Sequence, residues 1–422
     1  MRTIDHDVLV IGAGPAGASL AIRLATLGLR VVVVEQSAFP RQKVCGECLG
    51  PASLELLDEL GVGTKIAALS GSPIRTVALM VGERTVVAEM PACTDGRFAY
   101  GCAIGRDCLD WILLEHARSC GVEILQPAKV RRIRGGPGEF SCTYEWRHEG
   151  SRTKSADDAT QVIRAAIVVD AHGSWERGPD CEGAGPAATA EMPPRPMDLL
   201  AFKSTFEAST LEPGVLPVVC LPGGYGGIVV ADRSRTTVAC CIRRATLQQL
   251  RTRKPGAAAG LIVDGHLRNS CAGVADALRS ARQLEPWHAV GPLRTGFHAN
   301  GAAGILRIGN AGAEAHPLIG EGICMALQSA AVLAQLLSDR RRILDFAYVR
   351  QVHHAHTGIC RKKFAGRLRF AHLCAQIAMR PALARCTGTL LRGWPALLTA
   401  GARVAGKARH GLVSTPNKRA VV

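Results

Sequence analysis

Apolar positions in this chain repeat with two different periods, and the switch from one to the other maps its elements. Asp7–Ile11 is a run of strand formers, Ala16–Leu27 carries apolar residues at helical spacing, and Arg30–Glu35 is a second, β-branched run. In that order they predict a strand, a helix and a strand parallel to the first. Helical spacing returns over Ala52–Leu60 and Arg106–Cys120, the latter leading to a short strand at Val122–Leu125, and Val162–Asp170 is a nearly continuous apolar run of the parallel-sheet kind. The turn-rich stretch 135–158 and the Pro/Gly/Ala-rich stretch 178–196 read as connections. Beyond them, Leu199–Phe206, Val215–Leu221, Gly227–Ala231 and Thr236–Arg243 are short alternating runs divided by turn residues, which predicts a mostly antiparallel sheet. A core strand at Ile305–Ile308 and a helix over Gly320–Leu337 lead back to the first unit. Helical runs over Phe364–Met379 and Leu390–Val404 follow.

Composition adds a globular class and an uneven charge. With 422 residues, 47% of them hydrophobic, the chain can bury a full core. The net charge is +16, yet from Arg340 onward 17 Lys and Arg face a single acid, Asp345, while the preceding 339 residues hold 34 of each sign. The excess therefore belongs to the tail. There Arg361, Lys362, Lys363, Arg367 and Arg369 alternate with Phe364, Leu368 and Phe370, which predicts a helix lying on an anionic membrane surface. No nucleic acid is expected as partner, because aromatic residues are only 4% and no nucleic-acid-binding fold is legible. The opening residues pass straight into a strand without a signal-peptide pattern, so the expected location is cytoplasmic, peripheral to the inner face of a membrane through the tail. In that compartment the 16 cysteines are expected to be reduced. Cys45 and Cys48 form one C-x-x-C pair with no second pair at zinc spacing, so no metal site is expected.

Gly12-Ala13-Gly14-Pro15-Ala16-Gly17 fits G-x-G-x-x-G between a strand and a helix, where missing side chains let backbone N–H groups approach a pyrophosphate. Glu35 closes the second strand at the spacing expected of a carboxylate that accepts ribose hydroxyls. These residues predict a dinucleotide site and leave NAD and FAD both open.

Two further segments carry a resemblance. Arg307-Ile308-Gly309-Asn310, followed by His316-Pro317-Leu318-Ile319-Gly320-Glu321-Gly322-Ile323, resembles the G-D motif and flavin-facing turn of the para-hydroxybenzoate hydroxylase superfamily of flavoproteins. That resemblance implies FAD as cofactor, a ribityl contact at Asn310 where the family carries an acid, and a helix N-terminus at Gly320, Gly322 and Ile323 directed at the isoalloxazine. Pro40-Arg41-Gln42-Lys43-Val44-Cys45-Gly46-Glu47 and the Arg106-x-x-x-Asp110 pair are similar to the geranylgeranyl reductase branch, which implies that Arg41, Cys45, Gly46 and Arg106 lie against the cofactor. Asp170-Ala171-His172-Gly173-Ser174 resembles the D-G motif of the same superfamily.

The expected fold is thus α/β: a Rossmann-like FAD-binding domain with a parallel sheet (1–75, 100–180 and 288–339), a substrate domain of mostly antiparallel sheet (76–99 and 181–287) and a basic helical region (340–422). Four residues are candidates for chemistry. Pro317 is placed beside the flavin by the resemblance. His316, preceding it, reads as an acid or base or equally as a hydrogen-bonding residue at a helix start. Tyr225, within Pro222-Gly223-Gly224-Tyr225-Gly226-Gly227, is either held over the substrate cavity or part of a hairpin turn. Cys45 is a redox thiol or, the favoured reading, a small apolar residue. The resemblance implies an NAD(P)H-dependent monooxygenase acting on an apolar, aromatic or polyketide-like small molecule. Saturation of an isoprenoid double bond is the alternative, and a membrane-surface electron carrier to quinone is a reading of another class.

Overall fold

A computed structural model describes residues 4–147, 160–174, 178–182, 193–298 and 304–407. The chain enters through β1 (His6–Ile11), α1 (Pro15–Thr26) and β2 (Val31–Val34), with β1 and β2 parallel and Val8 opposite Val31. It then leaves for a second sheet through the hairpin β3 (Thr76–Val81) and β4 (Arg84–Glu89). Helix α2 (Arg106–Ser119) brings it back to β5 (Glu123–Leu125), parallel to β2. The antiparallel pair β6 (Ala128–Arg134) and β7 (Phe140–Trp146) runs on into β8 (Gln161–Asp170), which lies parallel to β1. Leu306–Arg307 later adds to β8 in parallel.

The alternation within β1 and β2 explains how this first sheet is covered. Val8, Val10, Val31 and Val33 point to a core shared with α1 and α2, whereas Leu9, Ile11, Val32 and Val34 point to one shared with Ala128, Val130, Phe140 and Tyr144. Both faces are buried, so the strands read as unbroken apolar runs. The stretch expected to be turn-rich, 135–158, thus holds β7, with 148–158 outside the described residues. Its alternation is masked by polar residues on the open face of each strand.

The second sheet comprises β9 (Leu199–Glu207), β10 (Val215–Leu221), β11 (Gly224–Val230) and β12 (Thr236–Arg243) together with β3 and β4, in the order β9, β12, β11, β10, β3, β4. It is antiparallel except where β10 runs beside β3 in parallel, Val215 opposite Thr76. Three helices that the alternating pattern did not reveal, Arg244–Arg253, Ala259–Ser270 and Ala272–Ala277, cover one face through Leu247, Ile262, Val263, Leu267 and Val274.

Four α-helices complete the described residues: α3 (Gly322–Leu336), α4 (Phe346–Ala378), α5 (Pro381–Gly393) and α6 (Ala396–Val404). Asp345 caps α4, its carboxylate accepting from Ala347 N at 2.9 Å. The buried positions of α4 recur every three or four residues, from Tyr348 through Cys360, Phe364 and Arg367 to Ala378, as one stripe facing the protein. Of the residues expected to face a membrane, Phe364 and Arg367 belong to this buried stripe, whereas Leu373 on the same helix is exposed. Phe364 is 2% exposed against Ala313, Ala315 and Met325, and Leu368 leans on the same cluster. The reason lies at the start of α3, where buried Glu321 requires cations: Arg367 reaches it at 3.1 Å and Lys407 at 3.3 Å. Among the described residues, no helix is long and apolar enough to cross a membrane.

Candidate functional site

The C-terminal end of β1, the start of α1, the 309–323 segment and the inner face of the second sheet enclose a cavity of about 240 Å³. Gly12, Gly14, Pro15, Ala16 and Glu35 line it at one end, and Phe202, Val218, Tyr225 and Ile228 at the other.

Three glycines fix the first end, each for a different reason. Gly12 has φ +100°, and a Cβ there would stand 2.6 Å from the Ala171 carbonyl oxygen. At Gly17 a Cβ would be 1.9 Å from the Gly12 oxygen, so this glycine lets α1 pack on β1 without lining the cavity itself. A Cβ at Gly14 would meet only the Arg106 guanidinium, at 3.8 Å, and would otherwise project into the cavity. No side chain caps α1, which leaves its first N–H groups available to an anion. Glu35, 4% exposed, accepts from Ala13 N at 2.9 Å and Ser37 N at 2.9 Å, each oxygen retaining capacity for a further donor.

Around this turn stand two arginines that share one carboxylate. Arg106 forks onto Asp110 at 2.7 and 2.6 Å; burial opposes its charge, but that carboxylate raises its pKa above the ordinary guanidinium value. Arg41 lies 3.3 Å from Asp110 and 3.6 Å from Glu35, with its guanidinium over the Phe39 ring. Its Nε and Nη1 are buried and without a hydrogen-bond partner. A glycine cradle that a Cβ would fill, an uncapped helix start and unsatisfied guanidinium N–H groups fit a bound diphosphate.

The Cys45-Gly46-Glu47 segment crosses the middle of the cavity. Glu47 has φ +58°, a left-handed conformation sustained by its surroundings. Its carboxylate, 1% exposed, accepts from Lys203 Nζ of β9, from Arg106 N at 2.9 Å and from the Thr237 hydroxyl of β12. Lys203 is equally buried and also donates to Gln42 at 2.9 Å. This pair bolts the cofactor-side loop to the second sheet. Cys45 lines the cavity, half-buried, and its sulfur accepts from Glu47 N at 3.3 Å. Cys48, behind it, has its thiol pushed up to about 12 by burial.

On the far wall Gly309, with φ +59°, turns the chain so that Asn310 lines the cavity. Asn310 Nδ2 donates to Ser174 Oγ at 2.6 Å, which joins the two segments that the sequence pattern picked out separately. Asp170 holds the His172 ring and does not line the cavity. Pro317, Gly320, Gly322 and Ile323 all line the wall, and α3 begins there without a side-chain cap. Gly320 sits at φ +61°, its carbonyl accepting from Lys407 Nζ at 3.1 Å.

Of the residues considered for chemistry, Tyr225 lines the cavity and His316 takes the hydrogen-bonding place at the start of the Pro317 turn. Tyr225 is an interior residue of β11, 1% exposed, and its hydroxyl is 3.0 Å from His316 Nδ1. His316 is absent from the cavity wall; it lies behind Pro317, with its Nε2 3.4 Å from Thr295 Oγ1. Burial, aided by the neighbouring His372, lowers its pKa to about 4 and keeps it neutral. The pair supports the Pro317 turn from behind. The turn expected around Tyr225 is instead the Leu221-to-Gly224 hairpin end, and Gly226 and Gly227 continue β11 with a low profile toward the cavity.

Among the cavity residues that escaped the sequence reading is one buried carboxylate. Glu314 is 2% exposed and accepts from Arg294 N at 3.1 Å. Burial raises its pKa, against hydrogen bonds from Ser174 and Arg294 N that pull it down. No spacing rule marks such a residue, because its role depends on what folds over it. Among the described residues no group of three His, Cys, Asp or Glu side chains stands where it could hold a metal.

Comparison with known proteins gives concordant results. A family model described as an FAD binding domain matches residues 5–340. A menaquinone reductase of Mycolicibacterium smegmatis is 26% identical over 430 residues, covering 95% of this chain and 91% of that protein. A 1H-pyrrole-2-carbonyl-[peptidyl-carrier protein] chlorinase of Pseudomonas fluorescens is 30% identical over 199 residues, 41% of this chain and 40% of that one. Among solved structures, the myxobacterial chondrochloren halogenase CndH superposes with a TM-score of 0.72 at 18% identity, covering 99% of each chain. PqsL of Pseudomonas aeruginosa, solved with 2-aminobenzoylacetate, gives 0.67 at 18% identity over 90% of this chain and 98% of that one.

Proposed function

The chain belongs to the FAD binding domain family and is an FAD-dependent oxidoreductase; on that premise we propose that it uses electrons from NAD(P)H to reduce an apolar, isoprenoid- or quinone-like small molecule. The observation that carries the substrate class is the inner wall of the cavity, where Phe202, Val218, Ile228, Leu293 and Leu318 meet the Pro317 turn. In favour of reduction is the near full-length likeness to menaquinone reductases, set beside the shorter halogenase match.

Each wall of the cavity has a part in this reading. The N–H groups of α1 and the Arg41 guanidinium would hold the diphosphate, Glu35 the ribose, and Asn310 the ribityl chain. When bound, FAD supplies the hydride chemistry. Pro317 and the uncapped start of α3 would line the ring, with His316 and Tyr225 fixing that turn. The strained Cys45-Gly46-Glu47 backbone would close the opposite side, Cys45 contributing bulk and exclusion of water. Glu314, its pKa raised by burial, lines the cavity where a saturated product would need a proton.

Monooxygenation is the second reading, favoured by the 30% identity to a chlorinase over 199 residues and by the fold shared with PqsL. Incubation with menaquinone-4 or geranylgeraniol, with and without oxygen, separates the two. Product gaining two hydrogens under both conditions supports reduction, whereas product gaining one oxygen atom, formed only in air, overturns it.

A further inference from the structure

We infer that the exposed faces of α5 and α6 form a docking surface for an anionic lipid membrane. The surface differs from the α4 stripe singled out by sequence periodicity, of which Phe364 is buried and Leu368 packs on the same cluster. Leu383, Leu390, Trp394, Leu397 and Val404 are 45–62% exposed, all within two short helices and the turn between them. Leu383 and Leu390 are seven residues apart, as are Leu397 and Val404, so each pair shares one side of its helix. Other exposed large apolar side chains, such as Leu344, Phe346 and Leu373, lie outside these two helices.

Charge complementarity selects the partner. Arg380, Arg385, Arg392 and Arg403 are exposed on the same two helices, and the sequence from Phe346 to Val422 contains no Asp or Glu. The neighbouring edge strand β4 contributes an exposed Val87, Arg84 bonded to Thr389 at 2.8 Å, and one acid, Glu89, whose backbone carbonyl accepts from Thr399 at 2.8 Å. A Trp with several Leu among Arg side chains whose stems can snorkel is the composition of an interfacial helix. Each cation near an anionic surface adds attraction that salt screens.

The opposite sides of these helices touch the cavity wall. Ala384 and Leu391 share a cluster with Val218, Leu293 and Leu318, and Leu398 packs beside Leu216 and Cys48. A lipid surface on α5 and α6 would therefore lie one helix layer from the cavity. The docking surface stands whether the cavity's substrate is reduced or oxygenated.

The test is flotation of the intact, FAD-loaded chain with vesicles of phosphatidylglycerol and phosphatidylcholine, and with phosphatidylcholine alone. Two variants accompany it: Leu390→Ser, Trp394→Ser and Leu397→Ser combined, and Arg385→Gln, Arg392→Gln and Arg403→Gln combined. All six positions are exposed, so FAD content and melting temperature should match the parent. The parent should float with the anionic vesicles and be released by salt, and each variant should partition at least tenfold less, about 1.4 kcal/mol. Parent-like partitioning of the apolar variant, or no flotation of the parent, overturns the inference. So does a parent that light scattering shows to be a dimer, with the apolar variant a monomer, which would assign the face to a second copy of the chain.

Discussion

Replacing Lys203 by Met probes the bolt between the cofactor-side loop and the second sheet. Both members of the Glu47–Lys203 pair are 1% exposed, so the ammonium and the carboxylate have no access to bulk water. Removing one partner of such a pair costs about 3–5 kcal/mol, because the other charge is left in a dry site. Glu47 would keep two donors, Arg106 N at 2.9 Å and the Thr237 hydroxyl, which places the expected loss at the lower end, about 3 kcal/mol. The shift in melting temperature should be on the order of 3 °C for a chain of this size, measured at saturating FAD. Lys203→Met combined with Glu47→Gln removes both charges and should recover most of the loss, leaving about 1 kcal/mol, so that the two changes are coupled rather than additive. The single variant should also retain less FAD, since Glu47 borders the cavity between Cys45 and Arg106. A loss below about 1 kcal/mol for Lys203→Met, with no coupling to Glu47→Gln, would refute the reasoning and show that water reaches the pair.

Further tests address the cradle, the buried histidines and the tail. Gly14→Val should fold yet lose FAD, because the new side chain enters cavity space that no protein atom occupies; absorbance of the purified variant reads this directly. Burial first, and neighbouring histidines second, lower His316 and His356 to about 4, the Ser329 carbonyl partly opposing this at His356. With unfolded values near 6.5, the unfolded chain binds more protons between pH 6.5 and 4, so stability is complete above that window and falls as pH drops through it. At pH 5 each should remove about 2 kcal/mol, and His316→Gln should reduce the dependence of melting temperature on pH by about half. Truncation after Asp339 should give an unfolded or aggregated product, since it deprives Glu321 of Arg367 and Lys407 and uncovers Met325; a folded, FAD-loaded truncated protein would contradict the packing of α4.

The first strand, the glycine turn and Glu35 were legible because local pattern and tertiary role coincide there: the same residues that form a buried parallel strand also place the turn at its end. The flavin-facing segment from Gly309 to Ile323 was legible through motif spacing. What the pattern could not show was which side of an element meets a partner. Phe364 and Leu368 have the periodicity of a lipid-facing stripe, yet Ala313, Ala315 and Met325 lie where that stripe can pack, and tertiary packing took precedence. Tyr225 was read within a glycine turn because Gly223, Gly224, Gly226 and Gly227 surround it, but only Gly223 adopts positive φ, and the others pack in or against the strand. The first of the helices from Arg244 to Ala277 was hidden by a sequence in which one buried residue, Leu247, stands among three arginines. Glu314, Lys203 and Arg367 were invisible for a shared reason: a polar side chain becomes a site residue only through what covers it, and those covers come from distant segments.

The central claim, electron flow through bound FAD to an apolar acceptor, is tested most directly by anaerobic titration. The purified chain should carry FAD, lose its yellow colour when NADPH or NADH is added, and regain it on addition of menaquinone-4 without oxygen. A chain that takes up no FAD, or whose reduced FAD is reoxidised only by air and never by the lipid quinone, would contradict the account.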